Sequence, residues 1–314
     1  MAPGSADNSG GATSPATQPR GWAIACDDQG ARVLGHSANL PDLFGPGRAS
    51  GLIGLHLRDL VGADAAHSLR NALSRAIGAP RPALLPRQTI ADLPGTYDCA
   101  VHAAGAHTLI EIEPAAEADP LALDRVRALI DRLAQPKGLD KMLHATARLV
   151  NAVLQWDCVT VLRLSPEGDL GIVAQQKRLD WPDAATSAEL FSFRAPADLA
   201  LYEATRLRFL ADATATPLAW VGAPAPDLSL AHLRAATADE SARAARFGFS
   251  ALLALAIRVE GDLWGLVVAH DRAARRLTMD ERAVFDLFAD FLSLSAQAAR
   301  DHLAADEFRR RHAL

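Results

Sequence analysis

The stretch ALLALAIRVEGDLWGLVVAH, residues 251–270, decides the fold of the second half of the chain. Two apolar runs, residues 251–259 and 263–270, stand on either side of the polar turn EGD. A short polar turn that contains glycine, placed between two such runs, is typical of a β-hairpin. The stretch therefore predicts two antiparallel strands that lie side by side in one sheet.

A long helix is predicted after this hairpin, from Thr278 to Arg311. Thr278 and Glu281 fit a capping box, because a hydroxyl and an acid three residues apart can satisfy two free backbone amides. The apolar stripe of this helix is wide enough to pack on the sheet and on a second copy of the chain, or on the core alone. We therefore take four of its residues as candidates for a dimer interface: Phe285, Phe288, Phe291 and Leu292.

The segment before the hairpin adds further helices and strands to this domain, which we place at residues 121–312. Apolar residues at helical spacing predict helices, and apolar runs bounded by turn residues predict strands. The expected helices cover residues 121–133, 139–155, 197–210 and 230–246, and the expected strands cover residues 158–164 and 170–175.

An N-terminal domain is predicted at residues 21–118. It begins with a strand hairpin, continues with short helices and ends with alternating strands at residues 97–102 and 108–113. Residues 1–20 are rich in Gly, Ser, Pro, Ala and Thr, a composition that predicts a flexible tail. Both domains thus fall in a mixed α/β (α+β) class, each an antiparallel sheet with flanking helices.

The composition is that of a soluble globular protein. The 314 residues are 50% hydrophobic and 22% charged, and they suffice for two domains. A formal net charge of −5 argues against nucleic-acid binding. No apolar run approaches the ~18 residues of a membrane helix, and no secretory signal begins the chain. We therefore expect a cytoplasmic protein that binds neither nucleic acid nor a membrane.

Motifs of enzymes and metal sites are missing from the sequence. No glycine-rich phosphate loop, HExxH, GxSxG or suitably spaced carboxylate pair is present, so we expect no enzymatic activity. His102 and His107 could face each other across a hairpin, but no third ligand is evident and no metal site is expected. Cys26, Cys99 and Cys158 lack metal or disulfide spacing and are expected as small buried residues.

Five short segments stand out by their order and spacing. They are Gln18-Pro19-Arg20-Gly21, Ser37-Ala38-Asn39-Leu40, residues 201–212, Leu233-Arg234, and Leu263-Trp264-Gly265-Leu266 with His270. Together they resemble the sensory core of bacterial phytochromes. The resemblance implies a PAS domain followed by a GAF domain, and an N-terminal tail that could thread a GAF loop as a knot.

The family's points of pigment attachment are absent. Bacterial phytochromes attach biliverdin through a cysteine ahead of a Gln-Pro-His-Gly motif, but residues 1–20 contain no cysteine and Ala6 lies near that place. Plant and cyanobacterial members use a cysteine beside a GAF histidine, where this chain has Asp239. Because a thioether requires a thiolate nucleophile, we expect no covalent attachment residue.

Other pigment-facing positions of the family have changed as well. The loop whose aspartate organises pigment protonation aligns with residues 190–195, which contain no aspartate. Glu240 stands in place of the pigment-facing histidine, and Arg243 replaces the tyrosine one turn later. Leu162 replaces a tyrosine of the first GAF strand. The resemblance therefore implies a pocket without its usual polar ring.

Two arginines persist, Arg208 and Arg234, at positions that pair with the pigment's propionates in the family. A guanidinium fork suits a carboxylate. The alternative is an ion pair within the domain, with Glu203 or Glu240 as partner. Since a buried carboxylate needs a partner, Glu240 with Arg243 or Arg208 could fill part of the pigment space. Tyr202 and His270 also match pocket positions, although core roles are open to both. The candidate pocket residues are Arg208, Arg234, Tyr202, Glu240, Arg243, His270 and Leu162.

The resemblance and the departures predict a phytochrome-like signal-input module without covalent bilin. We expect it to act independently of light, by dimerisation or protein interaction, as a homodimer through its GAF helices. A histidine kinase or another output module is the expected partner. The alternative is a sensor that binds a non-covalent tetrapyrrole such as biliverdin, or another carboxylated ligand, in the GAF pocket. Outside this alternative we expect no cofactor.

Overall fold

The computed structural model describes residues 15–45, 51–79, 81–117, 120–134, 138–182, 190 and 196–312. The N-terminal part contains β1 (Ala16–Thr17), β2 (Trp22–Cys26), β3 (Val33–Ser37), α1 (Leu40–Phe44), α2 (Leu57–Val61), α3 (Ala63–Ala76), β4 (Ala83–Gln88), β5 (Tyr97–Ala104) and β6 (His107–Pro114). The C-terminal part contains α4 (Ala122–Leu133), α5 (Leu139–Leu154), β7 (Cys158–Leu164), β8 (Leu170–Lys177), α6 (Pro196–Ala204), β9 (Leu207–Leu210), β10 (Leu218–Gly222), α7 (Ala238–Phe247), β11 (Ala251–Val259), β12 (Asp262–Asp271) and α8 (Met279–His312).

A five-stranded antiparallel sheet forms the centre of the C-terminal domain, in the order β8-β7-β12-β11-β9. The hairpin predicted at residues 251–270 is confirmed as β11 and β12, in which Ala251 lies opposite Asp271. Side chains alternate between two apolar clusters on the two faces of the sheet. One face packs on α4, α5 and α8, and the other packs on α6 and α7.

A seven-stranded sheet joins the two domains, in the order β1-β10-β3-β2-β6-β5-β4. Strand β10 belongs to the C-terminal part of the chain but pairs with β3, where Trp220 lies opposite Ser37. One face of this sheet packs on α1, α2 and α3. The other face carries Leu109, which clusters with Leu228 and Ala231. The segment around residues 228–231 therefore covers part of the second face of the N-terminal sheet.

The mixed α/β class is confirmed, but two predicted helices are wrong in extent. The helix expected over residues 197–210 ends at Ala204, and residues 207–210 form β9 because they pair with β11. The helix expected over residues 230–246 begins only at Ala238, where Thr237 and Glu240 form a capping box. Strands β4 and β10 were not expected at all, since neither shows a clean alternation.

The end of the expected tail is ordered. Ala16 and Thr17 form β1, and Gln18 is 3% exposed. The Gln18 amide donates to the carbonyl oxygens of Phe209, His232 and Arg234 and accepts a hydrogen bond from the Ala211 amide. The composition predicts a tail that is flexible unless the fold captures it, and contacts with the second domain hold its last residues. Threading of the tail as a knot stays a prediction, and Ala6 lies outside the described residues.

The capping box of α8 is confirmed, because Glu281 and Thr278 exchange hydrogen bonds between side chains and backbone amides.

The candidate dimer residues on this helix are buried or partly buried. Phe285, Phe288 and Leu292 are at most 1% exposed and belong to the core of their own domain. Phe291 is partly buried against the same core. Phe285, Phe288 and Leu292 face the sheet and do not form a free interface, whereas Phe291 lies at the margin of this core.

The two histidines of the β5–β6 hairpin are not opposed. His102 lies opposite Leu109, and His107 lies opposite Ala104, because the hairpin register is offset from the one expected. The described residues contain no group of three or more potential ligands that could hold a metal. Nor does any described helix combine the length and apolar composition needed to cross a membrane.

Candidate functional site

The candidate pocket residues lie around one face of the five-stranded sheet, under α6 and α7. Leu162 on β7 and Tyr202 on α6 belong to the apolar cluster of this face. Arg208 on β9 points to the same side as Leu210, which is also in the cluster. His270 at the end of β12 stacks on Phe249, with ring centroids 4.4 Å apart. The structure therefore places Leu162, Tyr202, Arg208 and His270 around the same face of the sheet.

A buried ion pair joins Arg208 and Glu240, each with a side chain 2% exposed. The Arg208 Nε and Nη2 atoms lie 3.2 and 2.8 Å from the two Glu240 carboxylate oxygens. Nη1 donates to the Arg234 carbonyl at 2.8 Å, and Nη2 donates to the Ala235 carbonyl at 2.7 Å. Each terminal nitrogen of Arg208 is thus already bonded within the domain. The internal bridge predicted between these residues is present, whereas Glu203 takes no part in it.

Glu240 owes its position to the helix that it caps. It is the third residue of α7, and its carboxylate accepts a hydrogen bond from the Thr237 amide at 2.8 Å. Burial alone would raise the pKa of Glu240, but the charge and hydrogen bonds of Arg208 outweigh burial and hold this pKa below its ordinary value. The carboxylate is therefore ionised, and one side chain both caps α7 and neutralises Arg208.

Arg234 differs from Arg208 in its donors. Its side chain is partly buried, and its Nε and Nη2 atoms have no hydrogen-bond partner among the described residues. Burial, followed by the charge of Arg208, lowers the pKa of Arg234 to about 10. Of the two arginines carried over from the family pattern, only Arg234 has unsatisfied donors.

Three other pocket residues are paired or buried within the domain. Arg243 pairs with Asp239 at 2.6 Å rather than with Glu240. Tyr202 is 3% exposed, and burial raises the pKa of its hydroxyl. His270 is 2% exposed, and burial, followed by the charge of Arg243, lowers its pKa to about 3. His270 is consequently neutral at physiological pH.

Comparisons with known proteins identify the families and solved structures to which the chain is similar. The PAS fold family matches residues 12–115, and the GAF domain family matches residues 138–296. The chromophore-binding domain of an unusual bacteriophytochrome from R. palustris is 21% identical, with a TM-score of 0.76, over 92% of this chain and 96% of that one. The chain is a phytochrome-like PAS–GAF module of the GAF family.

Further relatives agree with this assignment. The chromophore binding domain of a Stigmatella aurantiaca phytochrome is 21% identical to the module, with a TM-score of 0.74 over 88% of the module and 94% of that chain. Phytochrome E of Arabidopsis thaliana is 26% identical over 89% of the module and 28% of its own length. Phytochrome B of the same plant is 26% identical over 82% and 25%, respectively. The module thus spans about a quarter of these curated relatives.

A second cluster of charges lies between the two domains, and sequence reasoning missed it. Glu113 on β6 binds both Arg20 and Arg282, the latter at 2.6 Å. Glu111 on the same strand accepts hydrogen bonds from the amides of His232 and Leu233. Burial raises the pKa of Glu111 to about 7. In the sequence, the only indication of this cluster is that Glu111 and Glu113 are two residues apart on one strand and therefore share a face. The sequence does not indicate their partners.

Proposed function

We propose that the module is a signal-input domain that has lost bilin attachment, works without light and acts through association with a second copy. The observation that carries this proposal is the Arg208–Glu240 ion pair. It places a carboxylate of the protein against an arginine that, in the family pattern, serves a propionate. The described residues therefore do not fit a bilin at this arginine.

The sheet face itself supports the same conclusion. Its apolar cluster contains bulky side chains that are at most 6% exposed: Trp181, Leu190, Tyr202, Phe247 and Phe249. A tetrapyrrole needs an open apolar space, and interiors packed in this way leave few voids larger than a water molecule. The loop at residues 191–195, which aligns with the family's aspartate loop, lies outside the described residues.

The cysteines offer no replacement for the missing attachment residue. Cys26, Cys99 and Cys158 are each at most 1% exposed. Burial raises the pKa of the Cys26 and Cys99 thiols to about 12 and that of Cys158 to about 11. Because the thiolate is the nucleophile, these thiols are poorly suited to form a thioether near neutral pH.

An absorption spectrum after incubation with biliverdin tests the loss of the pigment. We expect no red-absorbing band, because Arg208 and the sheet face are both occupied by the protein. A cysteine-bearing phytochrome PAS–GAF protein, treated in parallel, should develop the band. A band that persists after denaturation would show a covalent bond and contradict the proposal.

A second candidate function rests on the unsatisfied donors of Arg234. These donors favour a sensor that holds a carboxylated ligand, or a tetrapyrrole without a covalent bond, beside the loop of residues 232–235. A red band that is lost on denaturation would support this candidate over the first. The band should then weaken strongly in Arg234→Gln, since a hydrogen-bonded charge would be lost.

We propose that the second copy binds to the exposed side of α8, which shares only Phe291 with the residues first expected. Leu287, Phe291 and Leu294 are spaced by four and three residues and share one side of the helix. Leu287 and Leu294 are 44% and 70% exposed. Leu287, Phe291 and Leu294 give α8 an apolar surface that suits a homodimer through the GAF helices.

Sedimentation velocity of a Leu294→Asp variant tests this surface. We expect a folded monomer, because a buried unpaired charge would oppose association. Leu179→Asp is the matched control, since Leu179 is fully exposed in the loop after β8 and should leave the dimer intact. Phe288→Asp should instead unfold the protein, because Phe288 is 0% exposed in the core. A dimer that persists in Leu294→Asp would exclude this face.

A separate module would produce the output signal. We propose that it has no enzymatic activity and passes its signal to a separate module in the cytoplasm, such as a histidine kinase. The fraction of the curated relatives that it spans leaves room for such a module in a longer protein.

A further inference from the structure

A cavity of about 350 Å³ lies between the two domains, apart from the candidate pocket. Its walls come from the start of β4 in the PAS domain and from β9, His232 and α8 in the GAF domain. Leu84, Leu207 and Leu287 give these walls an apolar character. Cavities of this size at domain interfaces, with a few polar groups among apolar walls, are typical of small-ligand sites.

Arg282 contributes an unsatisfied donor to the lining of this cavity. Its side chain is 1% exposed. The Nη2 and Nη1 atoms donate to the Glu113 carboxylate at 2.6 and 3.3 Å, but Nε has no hydrogen-bond partner among the described residues. A buried N–H group of a cation without an acceptor is costly, so an acceptor at this position would be favoured.

His232 lines the cavity beside this arginine. Its Nδ1 atom has no hydrogen-bond partner among the described residues. Burial, followed by the charges of Arg282 and Arg20, lowers the pKa of His232 well below its ordinary value. A neutral imidazole offers one N–H donor and one acceptor, and its tautomer can follow the bound group.

The charges around the cavity are balanced at its rim but not behind Arg282. At the rim, Arg81 binds Asp286 and Asp290, and Arg206 binds Asp290. Behind Arg282, in a neighbouring pocket, Arg20 and Arg282 share the single carboxylate of Glu113. Two guanidinium groups for one carboxylate leave a positive surplus, which the partly ionised Glu111 offsets only in part.

From this juxtaposition of apolar walls, an unsatisfied arginine and a neutral histidine, we propose that the interdomain cavity binds a small organic carboxylate. The carboxylate accepts hydrogen bonds from Arg282 Nε and His232, and the apolar body of the ligand packs against Leu84 and Leu207. Inorganic phosphate would place a strongly hydrated anion against these leucines. A ligand held in this way contacts both domains. The proposal does not rest on the function proposed above, although Leu287 belongs both to the cavity wall and to the proposed dimer surface.

Titration of the full chain with sodium benzoate tests the site, followed by backbone amide NMR shifts. We expect saturable shifts at residues that line the cavity, among them Leu84, Leu207 and His232. Sodium phosphate at equal ionic strength should produce no saturable shifts there. Absence of any benzoate shift at the cavity, or equal binding of phosphate, would overturn the proposal.

Two pairs of variants make the assignment specific. Arg282→Gln should weaken benzoate binding by about tenfold or more, the loss expected for a charge-assisted hydrogen bond. Arg300→Gln is its control, because Arg300 is 52% exposed and pairs with Glu260 on the surface. Should Arg282→Gln fail to fold, Leu84→Trp fills the cavity from its wall and should abolish binding, while Leu179→Trp, at a fully exposed position, should not. Undiminished binding in Leu84→Trp would exclude this cavity.

Discussion

Replacement of Arg208 by methionine should lower the free energy of unfolding by about 3–5 kcal/mol, the range expected when a buried ion pair loses one partner. The variant leaves the Glu240 carboxylate buried at 2% exposure with its main counter-charge removed. It also removes the donors that bind the carbonyl oxygens of Arg234 and Ala235. Urea denaturation of the variant and the parent protein at neutral pH measures the loss.

Two further variants separate the ion pair from other effects. Addition of Glu240→Gln to Arg208→Met should recover part of the loss, because glutamine removes the uncompensated charge and can still complete the capping box with Thr237. Arg309→Met is the surface control. Its partner Asp306 is 38% exposed, and exposed pairs contribute about 1 kcal/mol or less. An Arg208→Met cost as small as that of the control would show that the pair is not closed to water.

The stability of the module should fall steeply as the pH drops from 6.5 to 4.5. Burial lowers the pKa of His102 to about 4, against the nearby charge of Asp227, and that of His270 to about 3. In the unfolded chain both histidines take up protons near pH 6.5, whereas the folded state resists protonation. The contribution of the two histidines to the free energy of unfolding is therefore fully present above pH 6.5. It falls by about 1.4 kcal/mol per pH unit for each histidine as the pH drops from 6.5 towards the pKa values of the folded state.

Glu111 acts in the opposite direction over the whole of this range. Its folded pKa is raised from 4.5 to about 7, so its contribution is largest below pH 4.5 and is lost as the pH rises through 7. Urea denaturation at several pH values from 4.5 to 7.5 measures the sum. The slope should decrease in His102→Leu, because this variant removes one of the two titrating histidines. The variant should still fold, since the ring nitrogens of His102 have no hydrogen-bond partner among the described residues. His302→Gln is the control, since His302 is 74% exposed. An unchanged slope in His102→Leu would contradict the assignment.

Local signals in the sequence predicted some elements well. The β11–β12 hairpin and the capping box of α8 are encoded within a few residues, so they could be read from the chain directly. The Arg208–Glu240 pair was one of two alternatives for Glu240, with Arg243 as the other possible partner, and it was expected for a different reason. A carboxylate at a position that faces an apolar interior requires a counter-charge, and a nearby arginine was available.

Other elements depend on partners that are distant in the sequence. Strand β9 was mistaken for the end of a helix because its pairing with β11 overrides the local pattern. Strand β10 exists only because β3 offers an edge from the other domain. Likewise, no local feature indicated that the amides of residues 232 and 233 would meet Glu111, or that Arg282 would meet Glu113.

The apolar stripe of α8 illustrates a limit of another kind. Helical spacing shows that Phe285, Phe288 and Leu292 share a face, but it cannot distinguish a domain core from an interface between copies. The depth to which the helix packs on β11 decides this, and the structure places these residues inside the core. The exposed residues Leu287 and Leu294 carried no comparable signal, because single exposed leucines are common on protein surfaces.

Strand β10, which the C-terminal part of the chain adds to the N-terminal sheet, lowers the tendency of this sheet to aggregate. An unpaired edge of a sheet is a template for the strands of other molecules. Pairing with β10 covers the edge of β3, and the new outermost strand, β1, has only two residues. The opposite edge, β4, contains Pro86 and a register irregularity at Arg87, whose φ is 53°. Neither border of this sheet offers a long regular row of amide and carbonyl groups, so this sheet is guarded against growth by strand addition.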